Sequence, residues 1–410
     1  MDLQGDLIHH PHDAYRHLRD SAPVQRIAGA TGEPAWLVTR YEDVRSALAD
    51  PRLSLDKSNA AQGSYRGLSL PPALDANLLN MDPPDHARIR RLVSRAFTPR
   101  RVEAMRPGIR RTADGLLDAL GTEGRTDLIA SYAAPLPITV ICDLLGIPDD
   151  HRKDFRAWTN ELIAPDPSRP QAVKQAIGAM LAFFTGLIAH KRRHPADDLL
   201  SDLIAVRDSG ADGDGDGGPG ARDGDRLSED ELTSLAFLIL GAGYENTVQL
   251  IGNAVHALLT HPEHLARLRL DPSKLPEAVE ELTRYEGPAL LAIRRFPTED
   301  VAIGDVTVPA GETVLLSLAA ANRDPARFAD PDRIDFDRDT SGHLALGHGI
   351  HYCLGAPLAR AEVEIALAAL LDRFGSLTPA ETEPQWRQSL RARGLLTLLV
   401  DYKTTARPLA

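Results

Sequence analysis

The 410-residue chain carries 58 acidic against 46 basic side chains, a formal net charge of -12, and such a balance disfavours nucleic acid or an anionic membrane as its main partner. Its length allows a large core and one to three domains. Two cysteines in all rule out a disulfide framework in a reducing compartment.

The opening segment, Met1 to His12, has no basic n-region and no apolar h-region, so no secretory signal is expected. Further on, no apolar run approaches the roughly 20 residues that span a bilayer, and a cytoplasmic protein without a membrane anchor is expected. Strand-like runs such as Trp36 to Thr39 then mix with helical pieces such as Tyr41 to Leu48, closed by a turn at Asp50-Pro51. His86 and Arg90 stand four apart, on one helical face. Between residues 88 and 111 many arginines gather against few acids, among them Arg91, Arg95, Arg100, Arg101 and Arg106. From about Pro107 to Arg193 apolar residues return every three or four positions, which predicts packed amphipathic helices. Cys142, in the apolar run Ile138 to Leu145, reads as core filler.

Residues 207–230 are polar and rich in Gly and Asp, and are read as a flexible loop. Asp212, Asp214, Asp216 and Asp223 have the spacing of a calcium loop, but Pro219 stands where an aliphatic side chain normally packs, and the last ligand is Asp rather than Glu. A capping box, Ser228 to Glu231, opens a long helix predicted to run well past Val255. It contains Gly241 and Gly243, each costing a helix about 1 kcal/mol. A second helix is predicted over Pro276 to Tyr285; there Glu281 and Arg284 share one face and can pair. Strands and turns follow, then the loop below, then an apolar run Leu395 to Val400 read as part of a closing hairpin.

The segment Leu346-Gly-His-Gly-Ile-His-Tyr-Cys-Leu-Gly355 places Cys353 in a tight glycine-punctuated loop just before the helical run Ala356 to Leu370. Glycines there let peptide N–H groups approach a sulfur while a planar group lies close against the backbone. With no CxxC partner, a zinc cluster or dithiol redox pair is disfavoured, and a single thiolate aimed at a metal fits.

These spaced glycines, two histidines and one cysteine resemble the haem-ligand loop of the cytochrome P450 monooxygenases, with Leu346 where that family usually has Phe. Motif order extends the resemblance over nearly the whole chain. It implies a mainly α fold, a triangular helical prism with a small β-sheet region near the N-terminus, formed by residues 1–410 as a single domain. It implies haem b with Cys353 as the iron ligand, O2 as co-substrate, and His86, Arg90, Arg295 and His351 as donors to the haem propionates. Glu281, Arg284 and Arg333 match the structural cradle behind the ligand loop. Ala242, Gly243, Glu245, Asn246 and Thr247 match the oxygen-activating segment, with Asn246 standing where a threonine is usual. Substrate contacts are expected from Leu238, Leu291, Ile293, Leu395 and Leu396. No flavin or nicotinamide fingerprint is present, so electrons from NAD(P)H are expected through a ferredoxin and ferredoxin reductase, with the arginine-rich stretch attracting the acidic ferredoxin. The expected reaction is insertion of one oxygen atom into a bulky hydrophobic secondary metabolite, such as a polyketide, macrolide or modified peptide. Epoxidation, coupling or peroxide-driven turnover is the alternative raised by Asn246, and a non-catalytic haem sensor is the alternative outside enzymes.

Overall fold

The structure is a computed structural model that describes residues 3–29, 32–65, 71–94, 97–163, 169–208 and 226–405. The calcium-like Asp212, Asp214, Asp216 and Asp223, and Arg95, lie outside the described residues. Packing divides the chain into two compact units, one built from Met1–Gly67, Arg106–Leu136 and Asn246–Ala410, the other from Leu68–Met105 and Pro137–Glu245.

In the first unit, strand Val24–Ala28 pairs antiparallel with Pro34–Val38, which in turn pairs in parallel with Val314–Leu316. This is the sheet region expected near the N-terminus. Helix Tyr41–Ala49 turns Tyr41, Val44, Ala47 and Leu48 inward, the spacing of one helical face, and packs them into a cluster with Val38, Val314, Phe328 and Leu344. A second sheet escaped the sequence reading. Its strand Glu123–Asp127 is short, polar and largely exposed, so no apolar alternation marks it; it forms by pairing with Leu399–Thr404, which also pairs with Phe374–Pro379. The closing hairpin thus uses residues 399–404 rather than 395–400.

The second unit is chiefly helical. Phe155 and Trp158 on helix Arg152–Ile163 meet Phe183 and Phe184 on helix Pro170–Arg193 in edge-on and tilted contacts. Against the sequence expectation, Gln171–Arg193 is long and apolar enough, by length and composition, to cross a membrane. Within it Ala176, Met180, Phe184, Leu187 and Ile188 form one buried stripe. That stripe is the pattern of a helix packed against protein. Cys142 is fully buried, as expected of core filler.

The long helix spans Glu229–Thr260. Its capping box is realised in both directions: Glu231 N–H donates to Ser228 Oγ at 3.1 Å, and Ser228 N–H to Glu231 Oε2 at 2.7 Å.

Lys191 Nζ and the Asp198 carboxylate form a buried ion pair that joins the end of helix Pro170–Arg193 to the start of helix Leu199–Asp208, where Asp198 also accepts Ser201 N–H at 2.8 Å. Deleting one partner of such a pair strands the other charge, at about 3 to 5 kcal/mol. Asp198→Ala should lose that much stability in urea unfolding. Asp197→Ala, which removes an exposed carboxylate 3.5 Å from Arg101, should change it by less than about 1 kcal/mol.

Candidate haem-thiolate site

The site begins with a carboxylate that has no access to water. Glu281, on helix Leu275–Glu286, is paired with Arg284 one turn on, and both side chains are wholly buried. The guanidinium grips the carboxylate with two parallel bonds, Nε to Oε2 and Nη2 to Oε1, each 2.7 Å. Arg284 Nη1 also donates to the carbonyls of Asn322 and Pro331 at 2.8 and 2.9 Å. Glu281 Oε1 accepts the backbone N–H of Asp335 at 3.0 Å and Nε of Arg338 at 3.2 Å.

The third cradle arginine is therefore Arg338, not Arg333. Arg333 has an exposed side chain and contributes its carbonyl, which accepts Arg284 Nη2 at 3.3 Å and Arg338 Nη2 at 3.2 Å. In sequence Arg333 holds the motif position. In space, the backbone between Asp330 and Asp335 turns the later arginine toward Glu281.

From this cradle two links lead to the cysteine loop. Asn322 Oδ1 accepts Leu344 N–H at 2.6 Å, which fixes where the loop departs. Within the loop Gly347 N–H donates to Leu344 O at 2.8 Å and Cys353 N–H to Leu346 O at 2.9 Å. Gly347 and Gly349 have φ of +78° and +72°, backbone angles that side chains rarely tolerate. Leu344 and Ala356, which bracket the segment, are buried, but no residue from Leu346 to Gly355 is, and Cys353 is half-buried. A sulfur held partly open in a backbone of fixed shape suits an iron ligand, and Arg295, also in this unit, is a buried cation of the kind a carboxylate-bearing cofactor needs. The residues present fit haem.

A second carboxylate, missed in the sequence, faces the same loop. Glu280 accepts Nε and Nη2 of Arg360, the latter at 2.9 Å, and lies 3.1 Å from His343 Nε2. Because His343 Nδ1 accepts Ala345 N–H at 3.3 Å, the ring proton sits on Nε2 and is donated to Glu280. Burial raises the Glu280 carboxyl, but these hydrogen bonds outweigh it and hold the group down at about 2 against its ordinary 4.5.

The long helix is a continuous α-helix through 238–247. Gly243 has a packing reason: a Cβ there would come within 2.7 Å of Ile141 Cδ1. Around it, Leu238, Ala242 and Asn246 recur every four residues and form an open stripe in a mostly buried helix, with Glu245 beside them. Thr247 lies off that stripe, 4 % exposed, so of these two neighbours it is Asn246 that presents its polar group there. Of the expected substrate residues, Leu396 is exposed and Ile293 half-buried; Leu395 is enclosed and bridges to Trp386, and Leu291 packs with Leu290 and Ala320, so both belong to the core. His86 is buried on helix Asp85–Ser94, with Arg90 half-buried one turn on.

The arginine-rich stretch is less free than its sequence suggested, because acids from distant segments neutralise it. Arg101 pairs with Asp202 at 2.7 Å, and Arg106 with Glu364 at 2.6 Å. Arg91 and Arg100 are exposed.

A sequence profile of the cytochrome P450 family matches residues 3–271 and 273–404. The chain is 48 % identical to cytochrome P450 107B1 of Saccharopolyspora erythraea, over 95 % of this chain and 94 % of that protein. It is 44 % identical to the cytochrome P450 monooxygenase PikC of Streptomyces venezuelae, over 98 % and 93 %. Among solved structures, the tirandamycin C-bound P450 monooxygenase TamI superposes with a TM-score of 0.85 at 43 % identity, covering 96 % of this chain and 98 % of that one. The chain belongs to the cytochrome P450 family. It is a monooxygenase of the P450 fold that uses haem b and O2 and takes electrons from NAD(P)H through partner proteins.

Two outcomes follow from the carboxylates. Arg338→Ala removes a donor from a buried charge and should cost about 3 to 5 kcal/mol, whereas Arg333→Ala, which keeps the carbonyl, should cost less than about 1 kcal/mol in the same urea unfolding. Because the Glu280 pKa is depressed in the folded state, its contribution is complete above about pH 5 and is lost as pH falls toward about 2. The difference in urea midpoint between wild type and Glu280→Gln should shrink over that window.

Proposed function

We propose that this enzyme inserts one atom of O2 into a bulky, mostly apolar secondary metabolite, with a polyketide scaffold as the first candidate. The carrying observation is Cys353, half-buried in a glycine-shaped loop behind which Glu281, Arg284 and Arg338 form a closed cradle. Residues 1–410 are read as one catalytic domain, since the family match runs through both compact units.

Bound haem supplies the oxygen chemistry. In this reading the Cys353 sulfur would hold the iron and donate electron density to it, and Arg295 and His351, with His86 and Arg90 assigned by motif, would be the donors to the propionates. Glu281, Arg284 and Arg338 are structural. Glu245 passes protons, and Asn246 both donates and accepts hydrogen bonds at the face lined by Leu238 and Ala242 but cannot relay a proton as a hydroxyl does. Leu238, Ile293 and Leu396 offer apolar surface to the substrate. The substrate class draws on relatives: a 6-deoxyerythronolide B hydroxylase at 44 % identity, a mycinamicin IV hydroxylase/epoxidase at 41 % and a polyketide biosynthesis P450 at 37 %. A ferredoxin with its reductase is the proposed electron donor, steered by exposed arginines such as Arg91 and Arg100, and the cytoplasm the proposed compartment.

The test is turnover of a macrolide and linear polyketide panel under 18O2, with ferredoxin, reductase and NAD(P)H. One labelled oxygen atom per product molecule is expected, and Asn246→Thr should raise product formed per NAD(P)H consumed without changing the product. No product from any polyketide, with turnover of a different class, would overturn the substrate assignment.

A further inference from the structure

Two adjacent glutamates on helix Leu275–Glu286 serve separate tasks. Glu281 faces inward and closes the cradle on residues 322–338. Its neighbour Glu280 reaches instead to both flanks of the cysteine loop. Upstream it holds His343, whose other ring nitrogen takes the backbone N–H of Ala345, next to Leu346 where the loop begins. Downstream it holds Arg360, on helix Ala356–Arg373, and the Arg360 guanidinium also hydrogen-bonds the side chain of Tyr352, the residue before Cys353. One carboxylate thereby ties the entry of the loop to the residue beside the sulfur. Apart from Cys353, no residue in this set would touch the iron.

We propose that Glu280, acting through His343 on one side and Arg360 with Tyr352 on the other, is a positioning residue that sets the geometry of the Cys353 loop and keeps the sulfur on iron as a thiolate. The inference rests on Cys353 being the iron ligand. Physically, the Glu281 cradle reaches the loop at Leu344 through Asn322, whereas the links through Glu280 reach it at Ala345 and at the Tyr352 side chain. The charge on Glu280 is essential to it, because a neutral amide in its place cannot accept from three donors at two oxygens with comparable strength. Outer partners of metal ligands commonly alter metal affinity by about 10- to 100-fold when removed; Glu280 stands one link further out, holding Arg360, which binds Tyr352 beside the sulfur.

The experiment uses the haem-loaded full chain and the variants Glu280→Gln, Arg360→Met, Arg360→Lys, His343→Ala and His343→Gln. Two readouts are taken: the reduced carbonyl spectrum, which reports thiolate ligation, and the rate of haem transfer to apomyoglobin. Arg360 is about a third exposed, so Arg360→Met should fold even if Glu280→Gln does not. Expected are a wild type with the long-wavelength thiolate band, loss of much of that band in Glu280→Gln, Arg360→Met and His343→Ala, and haem transfer faster by about tenfold. Arg360→Lys and His343→Gln, which keep a donor toward Glu280, should recover part of the band. A wild type with the band and variants indistinguishable from it in both readouts would overturn the positioning role while leaving Cys353 as ligand. A haem-loaded wild type without the band would overturn the ligand assignment and this inference with it.

Discussion

Glu281 is a charge placed where water cannot reach it, and the neighbouring structure is arranged to make that tolerable. A buried carboxylate without partners would cost several kcal/mol. Here it receives two bonds from Arg284, one from Arg338 and one from the backbone of Asp335, three of them at Oε1 and one at Oε2. The arginines spend their remaining hydrogens on carbonyls of Asn322, Ala329, Asp330, Pro331 and Arg333. A stretch with little regular secondary structure is thus fixed by one ion cluster, and Asn322 passes that fixation to Leu344 at the foot of the cysteine loop. Side-chain hydrogen bonds do here what a helix or sheet ladder does elsewhere.

The long helix carries a local opening of its own. Most of Glu229–Thr260 is enclosed, yet Leu238, Ala242 and Asn246 line up at four-residue spacing with their faces uncovered. Ala242 keeps the stripe shallow, Leu238 keeps it apolar, and Asn246 supplies its polar group. Gly243, one step around, is spent on close approach of Ile141 rather than on flexibility, which accounts for a residue that weakens an ordinary helix. Reactivity in such a protein comes from the cofactor, and the chain's share is shape, hydrogen-bond donors and the exclusion of water.

How much of this was legible in the sequence differed by the range of the interaction that decided it. Local signals succeeded: the Ser228 to Glu231 capping box starts the long helix, the Tyr41 helix shows its buried face, and Gly347 and Gly349 adopt the positive φ their spacing implied, although Gly355 has an ordinary φ of -81°. The family fold was legible because several motifs stood in order. Failures came where distant segments decide. Arg333 and Arg338 are equally plausible by composition, and only the path of the chain shows which guanidinium reaches Glu281. Leu395 and Leu396 are chemically identical, but one is enclosed and the other open, a distinction set by the bridge to Trp386. Strand Glu123–Asp127 carries no apolar pattern at all and exists through its partner. Arg101 and Arg106 looked like a free basic surface because their acids lie 101 and 258 positions away in sequence, at Asp202 and Glu364. Glu280 was hidden behind its neighbour, since a motif that names Glu281 gives no reason to ask what the adjacent carboxylate holds.

The claim that organises all of these observations is a bond from the Cys353 sulfur to haem iron. X-ray absorption at the iron edge of the purified, haem-loaded protein tests it most directly. The account requires one sulfur scatterer in the first coordination shell of wild type, absent from Cys353→Ala and unchanged in Cys142→Ala. A first shell made only of nitrogen and oxygen in folded, haem-loaded wild type, or a sulfur contribution that survives Cys353→Ala, would contradict it.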